Sequence, residues 1–292
     1  MADVAQWIAA ARPRTLPAAV APVLAGSGAA AQVDAFVAGR ALLALVVAVG
    51  LQVGVNYAND YSDGVRGTDR DRVGPTRLVG AGLAAPASVR NAALAAFGVA
   101  AVAGFVLVVL SGAWWLLLVG AAALVAGWAY TGTAKPYGYL GLGEVFVFCF
   151  FGLVAVCGTT YVQAGRVTAE SVLAAVGVGA LACAILVANN LRDLPTDDAA
   201  GKRTLAVRLG DSRTRVLYGT LHLVPVAMLV PLAVRAPWTL LGLVALPLQV
   251  GAVVTVRRGA DGAQLLPVLR DTALAELAWA AGVALALTLA AP

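Results

Sequence analysis

Long apolar stretches separated by short polar ones run along almost the whole chain of 292 residues. A helix needs roughly 20 apolar residues to cross the hydrocarbon core of a bilayer. Segmented on that basis, the chain is predicted to contain nine membrane-spanning helices, of which the first is irregular because it contains Pro17 and Pro22. The predicted spans are residues 15–32, 39–60, 88–110, 113–131, 141–163, 170–192, 215–234, 238–256 and 271–290.

The composition supports a membrane protein rather than a soluble one. Hydrophobic residues make up 61% of the chain and charged residues 12%, and the mean hydropathy is +0.88. Soluble domains contain roughly 45–50% apolar and about 25% charged residues. Because the apolar excess extends from end to end, we predict a single all-α integral membrane domain over residues 1–292. The one histidine, His222, is expected to face water, and no metal site can be built around it.

Positive charge is distributed unevenly between the loops that connect the predicted spans. Of the 20 lysine and arginine residues, all except Arg40, Arg166 and Arg235 fall in the N-terminal segment or in the loops after the even-numbered spans. Basic residues concentrate in the cytoplasmic loops of membrane proteins. We therefore predict a multi-pass plasma-membrane protein with a cytoplasmic N-terminus and an external C-terminus. The net charge of +5 then reflects topology and does not indicate a nucleic-acid partner.

Two acidic segments interrupt this apolar pattern, NDYSDGVRGTDRD at the end of span 2 and NNLRDLPTDD at the end of span 6. In each, an asparagine lies four positions before an aspartate, as Asn59 before Asp63 and Asn189 before Asp193. Each segment continues with further aspartates, a basic stretch and an apolar helix. We interpret the similarity as an internal repeat that relates spans 2–5 to spans 6–9. A chance similarity between two polar loops is the alternative.

The spacing of these acidic residues predicts a site for a hard cation and an anion. Residues four apart lie on one face of a helix, although Pro195 is expected to break the second helix before Asp197. Carboxylates within a membrane cost roughly 2.5–3.5 kcal/mol each and need a counter-charge. Oxygen ligands without histidine or cysteine suit Mg²⁺, which proteins commonly bind together with substrate phosphates. Basic side chains for a diphosphate are available at Arg72, Arg77, Lys202 and Arg203. Two solvated acidic loops are the alternative.

These segments carry a resemblance to a known family. Asn59 and Asp63 match an N-x-x-x-D motif, and Asp193 and Asp197 match a D-x-x-x-D motif. Together with ARPRTLPAAVAPVLAG and YTGTAKPYGYLGLGEVFVFCFFG, they make the chain resemble the UbiA-type superfamily of intramembrane aromatic prenyltransferases over nearly its whole length. The next aspartate after Asp63 is Asp69, which is similar to the menaquinone branch and differs from the ubiquinone-type D-x-x-x-D pattern.

The resemblance implies a fold, a reaction and a set of ligands. The family fold has nine transmembrane helices around a central cavity, with both aspartate motifs and their loops capping its cytoplasmic mouth. The expected reaction transfers a polyprenyl group from polyprenyl diphosphate to 1,4-dihydroxy-2-naphthoate, releasing diphosphate and CO₂ and giving demethylmenaquinone in its reduced, quinol form. The implied Mg²⁺ ligands are Asn59, Asp63, Asp193 and Asp197, with Asp60, Asp69 and Asn190 as further candidates.

Other candidate site residues have equally plain alternative roles. Lys135 and Tyr139 lie near the expected mouth, where they either contact an anion and a carbocation or serve as a topology-determining lysine and an interfacial aromatic residue. Arg14, just before span 1, is a candidate partner for the carboxylate of the acceptor. Glu144 opens an apolar run, so it either pairs with a nearby base or lies beside the cavity.

Three other functions fit parts of this pattern. A prenyltransferase with another aromatic acceptor would have the same motifs. A transporter shares repeats and intramembrane acids, but it needs access from both faces, and here nearly all polar chemistry falls on one. A CDP-alcohol phosphotransferase also uses clustered aspartates, but Arg66-Gly67 stands where Ala-Arg is expected.

Overall fold

The computed structural model of the protein describes residues 2–67 and 77–292, and within these ranges every regular element is a helix. The prediction of an all-α protein is therefore confirmed for the described residues. The helices are α1 Val4–Ala10, α2 Pro17–Ala31, α3 Ala38–Arg66, α4 Pro86–Ser111, α5 Leu116–Ala129, α6 Gly143–Ala164, α7 Ala169–Arg192, α8 Leu194–Ala199, α9 Leu205–Leu209, α10 Asp211–Arg235, α11 Pro237–Arg257 and α12 Gly262–Leu289.

Seven of these helices, α3, α4, α6, α7, α10, α11 and α12, are long and apolar enough to cross a membrane, and α2 and α5 are shorter apolar helices. The chain is thus a multi-pass membrane protein. Each apolar segment predicted above forms a helix, but two helices extend well beyond their predicted ends. Helix α3 continues to Arg66, and α12 begins at Gly262 because Leu265 and Val268 pack into a buried cluster with Tyr218 and Val256.

Helices α7 and α12 form the most buried part of the bundle, and small residues allow their close approach. A β-carbon at Gly177 would lie 2.4 Å from the ring of Trp279, which is almost fully buried. Likewise, a β-carbon at Gly28 of α2 would lie 2.5 Å from the backbone of Ala284 in α12. Small residues are common at helix contacts in membranes, where close packing drives association.

Polar side chains hold the ends of three helices together at the side away from the acidic motifs. Arg40, in the first turn of α3, donates to the carbonyl oxygens of Val162 at 2.9 Å and Leu110 at 2.6 Å. These carbonyls lie in the last turns of α6 and α4, where helices have no internal donors left. The backbone N–H of Val37 in turn donates to Gln163 Oε1 at 3.1 Å. Arg40 and Gln163 therefore fix α3, α4 and α6 relative to one another.

The prediction that His222 faces water is wrong. His222 belongs to α10 and is only 4% exposed, and its ring centroid lies 4.7 Å from that of Tyr218. One turn earlier, Tyr218 and Thr272 share a hydrogen bond of 2.6 Å that joins α10 to α12. This contact turns the face of α10 that carries His222 towards the bundle interior.

Substitution of Gly177 by alanine is expected to lower the free energy of unfolding by about 1–3 kcal/mol, because the added methyl group would overpack the contact with Trp279. Thermal unfolding of the detergent-purified protein measures the effect. Gly98→Ala is the matched control, since Gly98 is also helical but a β-carbon there would have nothing within 4 Å. Equal unfolding midpoints for the two variants would contradict the close packing of α7 against α12.

Candidate active site

The first acidic motif lies on the last three turns of α3, and its amide and carboxylate residues Asn59, Asp60 and Asp63 are all buried. The helix ends at Gly67, whose positive φ of 72° provides the left-handed conformation common at helix ends. A glycine is also needed at position 64, where a β-carbon would lie 2.5 Å from Val79. The chain at residues 78–80, here called the returning chain, therefore packs directly against this end of the helix.

Asp60 holds that returning chain in place. Its two carboxylate oxygens accept the backbone N–H groups of Leu78 at 2.8 Å and Val79 at 3.0 Å, and the residue is 1% exposed. A carboxylate that accepts two backbone N–H groups can satisfy itself without a cation. The sequence offered Asp60 as a candidate metal ligand. In the structure, its carboxylate instead anchors the backbone of Leu78 and Val79. Asp69 and Arg72, also candidates, lie outside the described residues.

Asn59 is fixed by a threonine that the motif did not indicate. Its Oδ1 accepts the hydroxyl of Thr131 at 2.7 Å, and both residues are buried. Thr131 lies just after α5, where Arg66 donates to its backbone carbonyl. The contact joins the end of α3 to the chain that follows α5. Nothing in the sequence around Thr131 distinguishes it from other threonines near a span end.

Asp63 is the meeting point of the two motifs. Lys202 Nζ lies 3.4 Å from Asp63 Oδ1 and 3.8 Å from Asp197 Oδ1, so one ammonium group faces a carboxylate from each motif. Arg77 Nη2 lies 3.5 Å from the other oxygen of Asp63, and the hydroxyl of Tyr139 donates to Asp63. The predicted convergence of the two acidic segments is therefore present in the structure.

Tyr139 also contacts the cations of this cluster through its ring. Lys202 Nζ lies 4.7 Å and Arg66 Cζ 5.5 Å from the ring centroid, both within the range of cation–π contacts. Burial, and then the negative charge of Asp63, raise the pKa of the Tyr139 phenol above its ordinary value. Tyr139 therefore stays protonated near neutral pH and acts as a hydrogen-bond donor to Asp63.

The second motif breaks at Asp193, between α7 and α8. The sequence predicted this break from Pro195, and the proline does lie in the first turn of α8. Its missing backbone N–H costs no hydrogen bond there, because the N–H groups of a first turn have no partner within the helix. Asp193 is bound by its neighbour Arg192, with Nε to Oδ1 at 2.7 Å and Nη2 to Oδ2 at 2.6 Å. Arg192 Nη2 also donates to Asn189 Oδ1 at 2.8 Å. Arg192 was predicted only as a topology determinant, but it is buried within the site.

The remaining candidates fall into three locations. The side chain of Arg203 is exposed and lies 3.9 Å from Asp198, while its backbone N–H donates to the Tyr139 carbonyl. Lys135 is exposed. Arg14 lines the cavity described below, on a short 3₁₀ turn before α2. The structure thus gathers Lys202, Arg77 and Tyr139 around Asp63 and leaves the side chain of Arg203 at the surface.

Glu144 and Asn190 contact each other inside the bundle. Asn190 Nδ2 donates to Glu144 Oε1 at 3.0 Å, and the thiol of Cys183 lies 3.1 Å from the Glu144 backbone oxygen. Among the described residues, Glu144 Oε2 has no hydrogen-bond partner. Of the two roles expected for Glu144, the structure shows a polar partner, but that partner is an amide and not a base. Neither residue is part of the cavity lining.

A cavity of about 950 Å³ adjoins the acidic cluster and is lined mainly by apolar side chains of α2–α6. Asn189, Arg192 and Arg270 line the end nearest the second motif, whereas Leu107 and Val162 line the opposite end. The cavity therefore joins a polar, charged end to a long apolar compartment.

Aromatic rings form one wall of this cavity. Tyr130 and Tyr137 are 5.5 Å apart between centroids, Tyr137 stacks on Phe146 at 3.9 Å, and Phe150 follows at 6.3 Å. Nothing in the sequence pattern distinguishes these phenylalanines from packing or lipid-facing residues. Their exposure to a cavity could not be deduced without the packing of α6 against the chain that follows α5.

The donor set fits a hard divalent cation. Asn59, Asp63, Asp193 and Asp197 supply amide and carboxylate oxygens, which are the ligands that Mg²⁺ prefers. Within the described ranges, no three histidine, cysteine or acidic side chains are grouped closely enough to hold a metal on their own. Because Lys202 and Arg77 already provide positive charge among these carboxylates, the cluster has the electrostatics of a site for a cation bound together with an anion.

A cluster of acidic and basic side chains beside a large apolar cavity between membrane helices suits a membrane enzyme that acts on an amphiphilic lipid. The chain belongs to the UbiA prenyltransferase family, whose profile matches residues 19–269. The resemblance based on the two motifs is thereby confirmed.

Two relatives with established names match nearly the whole chain. The 1,4-dihydroxy-2-naphthoate octaprenyltransferase of Mycobacterium tuberculosis is 58% identical over 287 residues, covering 98% of this chain and 98% of the relative. The protein of the same name from Escherichia coli is 36% identical over 275 residues, covering 91% of this chain and 89% of the relative. The similarity therefore extends well beyond the two motifs.

Solved structures show the same fold at low sequence identity. A UbiA homolog from Aeropyrum pernix K1 in its apo form superposes with a TM-score of 0.71 at 15% identity, covering 91% of this chain and 96% of that one. A UbiA homolog from Archaeoglobus fulgidus bound to GPP and Mg²⁺ gives a TM-score of 0.62 at 15% identity, covering 97% and 99%.

Asp60→Asn is expected to lower the free energy of unfolding by about 1–3 kcal/mol, because an amide cannot accept both backbone N–H groups that the carboxylate now accepts. Thermal unfolding in detergent measures this change. Asp198→Asn is the matched control at an exposed carboxylate. A melting temperature for Asp60→Asn equal to that of the control would show that Asp60 does not anchor the returning chain.

Proposed function

We propose that the protein transfers a polyprenyl group from polyprenyl diphosphate to 1,4-dihydroxy-2-naphthoate, with loss of diphosphate and CO₂, in the biosynthesis of menaquinone. The observation that carries this proposal is the contact of Lys202 with both acidic motifs beside a large apolar cavity. The acceptor is assigned from the names of the two relatives that match nearly the whole chain.

The two ends of the cavity suit the two ends of a prenyl diphosphate. The apolar compartment between α2 and α6 provides the contacts that a polyprenyl chain needs. Arg192 at the charged end of the cavity, together with Lys202 and Arg77 of the adjoining acidic cluster, is available to the diphosphate, since arginine and lysine are the common phosphate-binding residues. Arg14, which also lines the cavity, is available to the carboxylate of the naphthoate.

The proposed ligands of Mg²⁺ are Asn59, Asp63, Asp193 and Asp197. When bound, the cation would neutralise charge on the leaving diphosphate. Lys202 and Arg77 add hydrogen bonds and positive charge on the same side, which favours cleavage of the allylic C–O bond. Because the cavity wall is mainly apolar, it disfavours water, and the allylic cation meets the acceptor ring rather than a water molecule.

The aromatic wall provides a surface for the positive charge that develops on the prenyl group. The faces of aromatic rings attract cations, and Tyr130, Tyr137 and Phe146 line the cavity. The naphthoate ring attacks through the carbon that carries the carboxylate. Loss of CO₂ then restores its aromaticity without a protein base.

We also propose the arrangement in the membrane. Helices α2 and α5 complete the seven long helices to nine spans, with the acidic cluster and its cap loops on the cytoplasmic side. The N-terminus then lies inside and the C-terminus outside. Residues 1–292 form one domain, in which spans 2–5 and 6–9 are a repeat. The two motifs support this repeat because both lie at the C-terminal ends of long helices, α3 and α7.

Asp63→Ala and Asp193→Ala are expected to abolish prenyl transfer, and removal of Mg²⁺ with EDTA is expected to do the same. A membrane assay with labelled polyprenyl diphosphate and competing aromatic acceptors measures transfer and identifies the acceptor. Asp198→Ala, at an exposed carboxylate, is expected to retain activity. Full activity of either motif variant would refute the catalytic assignment, and preference for another acceptor would refute the naphthoate.

Gly158→Phe is expected to raise KM for octaprenyl diphosphate by about tenfold or more while geranyl diphosphate still reacts. Gly158 lines the cavity, and a β-carbon there has nothing within 4 Å, so a phenyl ring would occupy space proposed for the prenyl chain. Gly251→Phe is the control, since Gly251 is an equally open helical position outside the cavity. Unchanged KM values would place the prenyl chain elsewhere.

A further inference from the structure

We propose that the Lys202 ammonium occupies the cation position between the two acidic motifs. A divalent metal ion then binds weakly until a diphosphate binds Lys202 and the ammonium leaves that position. The inference rests on the proposed function, which supplies the metal and the diphosphate. It adds an order of binding: Lys202 couples the two ligands, and the free enzyme has low affinity for the metal alone.

The position of the Lys202 ammonium is the central observation. Its Nζ is within 4 Å of carboxylate oxygens from both motifs, Asp63 and Asp197, and the residue is buried. The two oxygens are therefore no farther apart than the sum of their distances to this one nitrogen. A single monovalent cation thus lies between two of the proposed metal ligands.

This bridging contact differs in kind from two other ion pairs of the site. Arg192 binds its sequence neighbour Asp193, and this ion pair therefore lies within the second motif. Arg77 contacts Asp63 of the first motif. Lys202 instead faces a carboxylate from each motif at once. A metal ion that binds between Asp63 and Asp197 must therefore compete with the Lys202 ammonium.

The backbone of Lys202 is fixed by a turn and a hydrogen bond, whereas its side chain is long and flexible. Gly201 turns the chain with a φ of 72°, and the backbone N–H of Lys202 donates to the Asp197 carbonyl at 2.8 Å. The ammonium stands at the end of a flexible four-carbon chain, so it can move to a new anion without moving the loop. In the structure, the ring of Tyr139 also contacts the ammonium, with its centroid 4.7 Å from Lys202 Nζ.

Competition and attraction together produce the coupling. An ammonium and a divalent cation repel each other when they share the same carboxylates. A diphosphate offers Lys202 new oxygen partners and leaves Asp63 and Asp197 to the metal. Because coupling between two ligands is reciprocal, bound metal must also strengthen the binding of diphosphate.

The test uses the purified full-length protein in detergent, with inorganic pyrophosphate in place of the lipid donor. Thermal unfolding is followed during titration with MgCl₂, at constant ionic strength. Lys202→Met is expected to lower the half-saturating Mg²⁺ concentration in the absence of pyrophosphate by about tenfold. At saturating Mg²⁺, the same variant is expected to bind pyrophosphate more weakly than the unmodified protein.

Three further variants make the result specific. Lys202→Gln removes the same charge with a different side chain and is expected to behave as Lys202→Met, which also covers a methionine variant that fails to fold. Lys202→Arg retains the charge and is expected to keep the low affinity for Mg²⁺. Arg213→Met, which removes a positive charge from an exposed position, is expected to leave the Mg²⁺ titration unchanged.

An unchanged or raised half-saturating Mg²⁺ concentration in both Lys202→Met and Lys202→Gln would overturn the inference. The titration requires no prenyl transfer, so it is separate from the test of the proposed function. A protein that fails to transfer a prenyl group to naphthoate, but whose Lys202 variants bind Mg²⁺ more tightly, would contradict the proposed acceptor and support the role of Lys202.

Discussion

Buried negative charge at the edge of an apolar bundle needs compensation, and this requirement organises the described part of the site. Each buried aspartate finds a different kind of partner. Asp60 accepts backbone N–H groups, Asp193 binds a neighbouring guanidinium, and Asp63 faces Lys202, Arg77 and a phenol. The partners of Asp60 are backbone groups, whereas those of Asp63 and Asp193 include basic side chains of the kind that also bind phosphate. An anchoring contact and the proposed ligand-binding contact are thus made by two carboxylates three positions apart on one helix.

The tertiary contacts of the cluster also explain why distant loops adopt one arrangement. Tyr139 donates through its hydroxyl to Asp63 of α3, and its carbonyl accepts the backbone N–H of Arg203 beyond α8. Arg66, at the end of α3, donates to the carbonyls of Thr131 and Thr133 after α5. The segment after α5 therefore contacts the first motif and the chain that follows the second motif. Because the same segment carries Tyr137 of the cavity wall, the charged end and the apolar end are positioned by one piece of chain.

The sequence predicted the helices well because the bilayer imposes a simple rule on length and polarity. Helix α4 occupies residues 86–111 against a prediction of 88–110, and α7 occupies 169–192 against 170–192. The length and polarity rule fails to predict a helix end where the helix packs against other helices and not against lipid. Helix α12 begins well before its predicted start, since Leu265 and Val268 pack against α10 and α11. The same cause explains His222, whose polarity suggested water but whose helix face is buried by the Tyr218–Thr272 contact.

For the site, spacing identified the motifs but not the partner of each residue. An i, i+4 pair fixes which side chains share a helix face, and it carries no information about the element opposite. Asp60 and Asp63 are both acidic and buried, yet only packing decides that one meets backbone N–H groups and the other an ammonium. Lys202 reaches Asp63 because Gly201 reverses the chain after α8, a turn that depends on one positive φ. Through that turn, Lys202 contacts a carboxylate of each motif. The acidic residues of the sequence therefore indicate a cation site, but they do not indicate that the Lys202 ammonium lies between them.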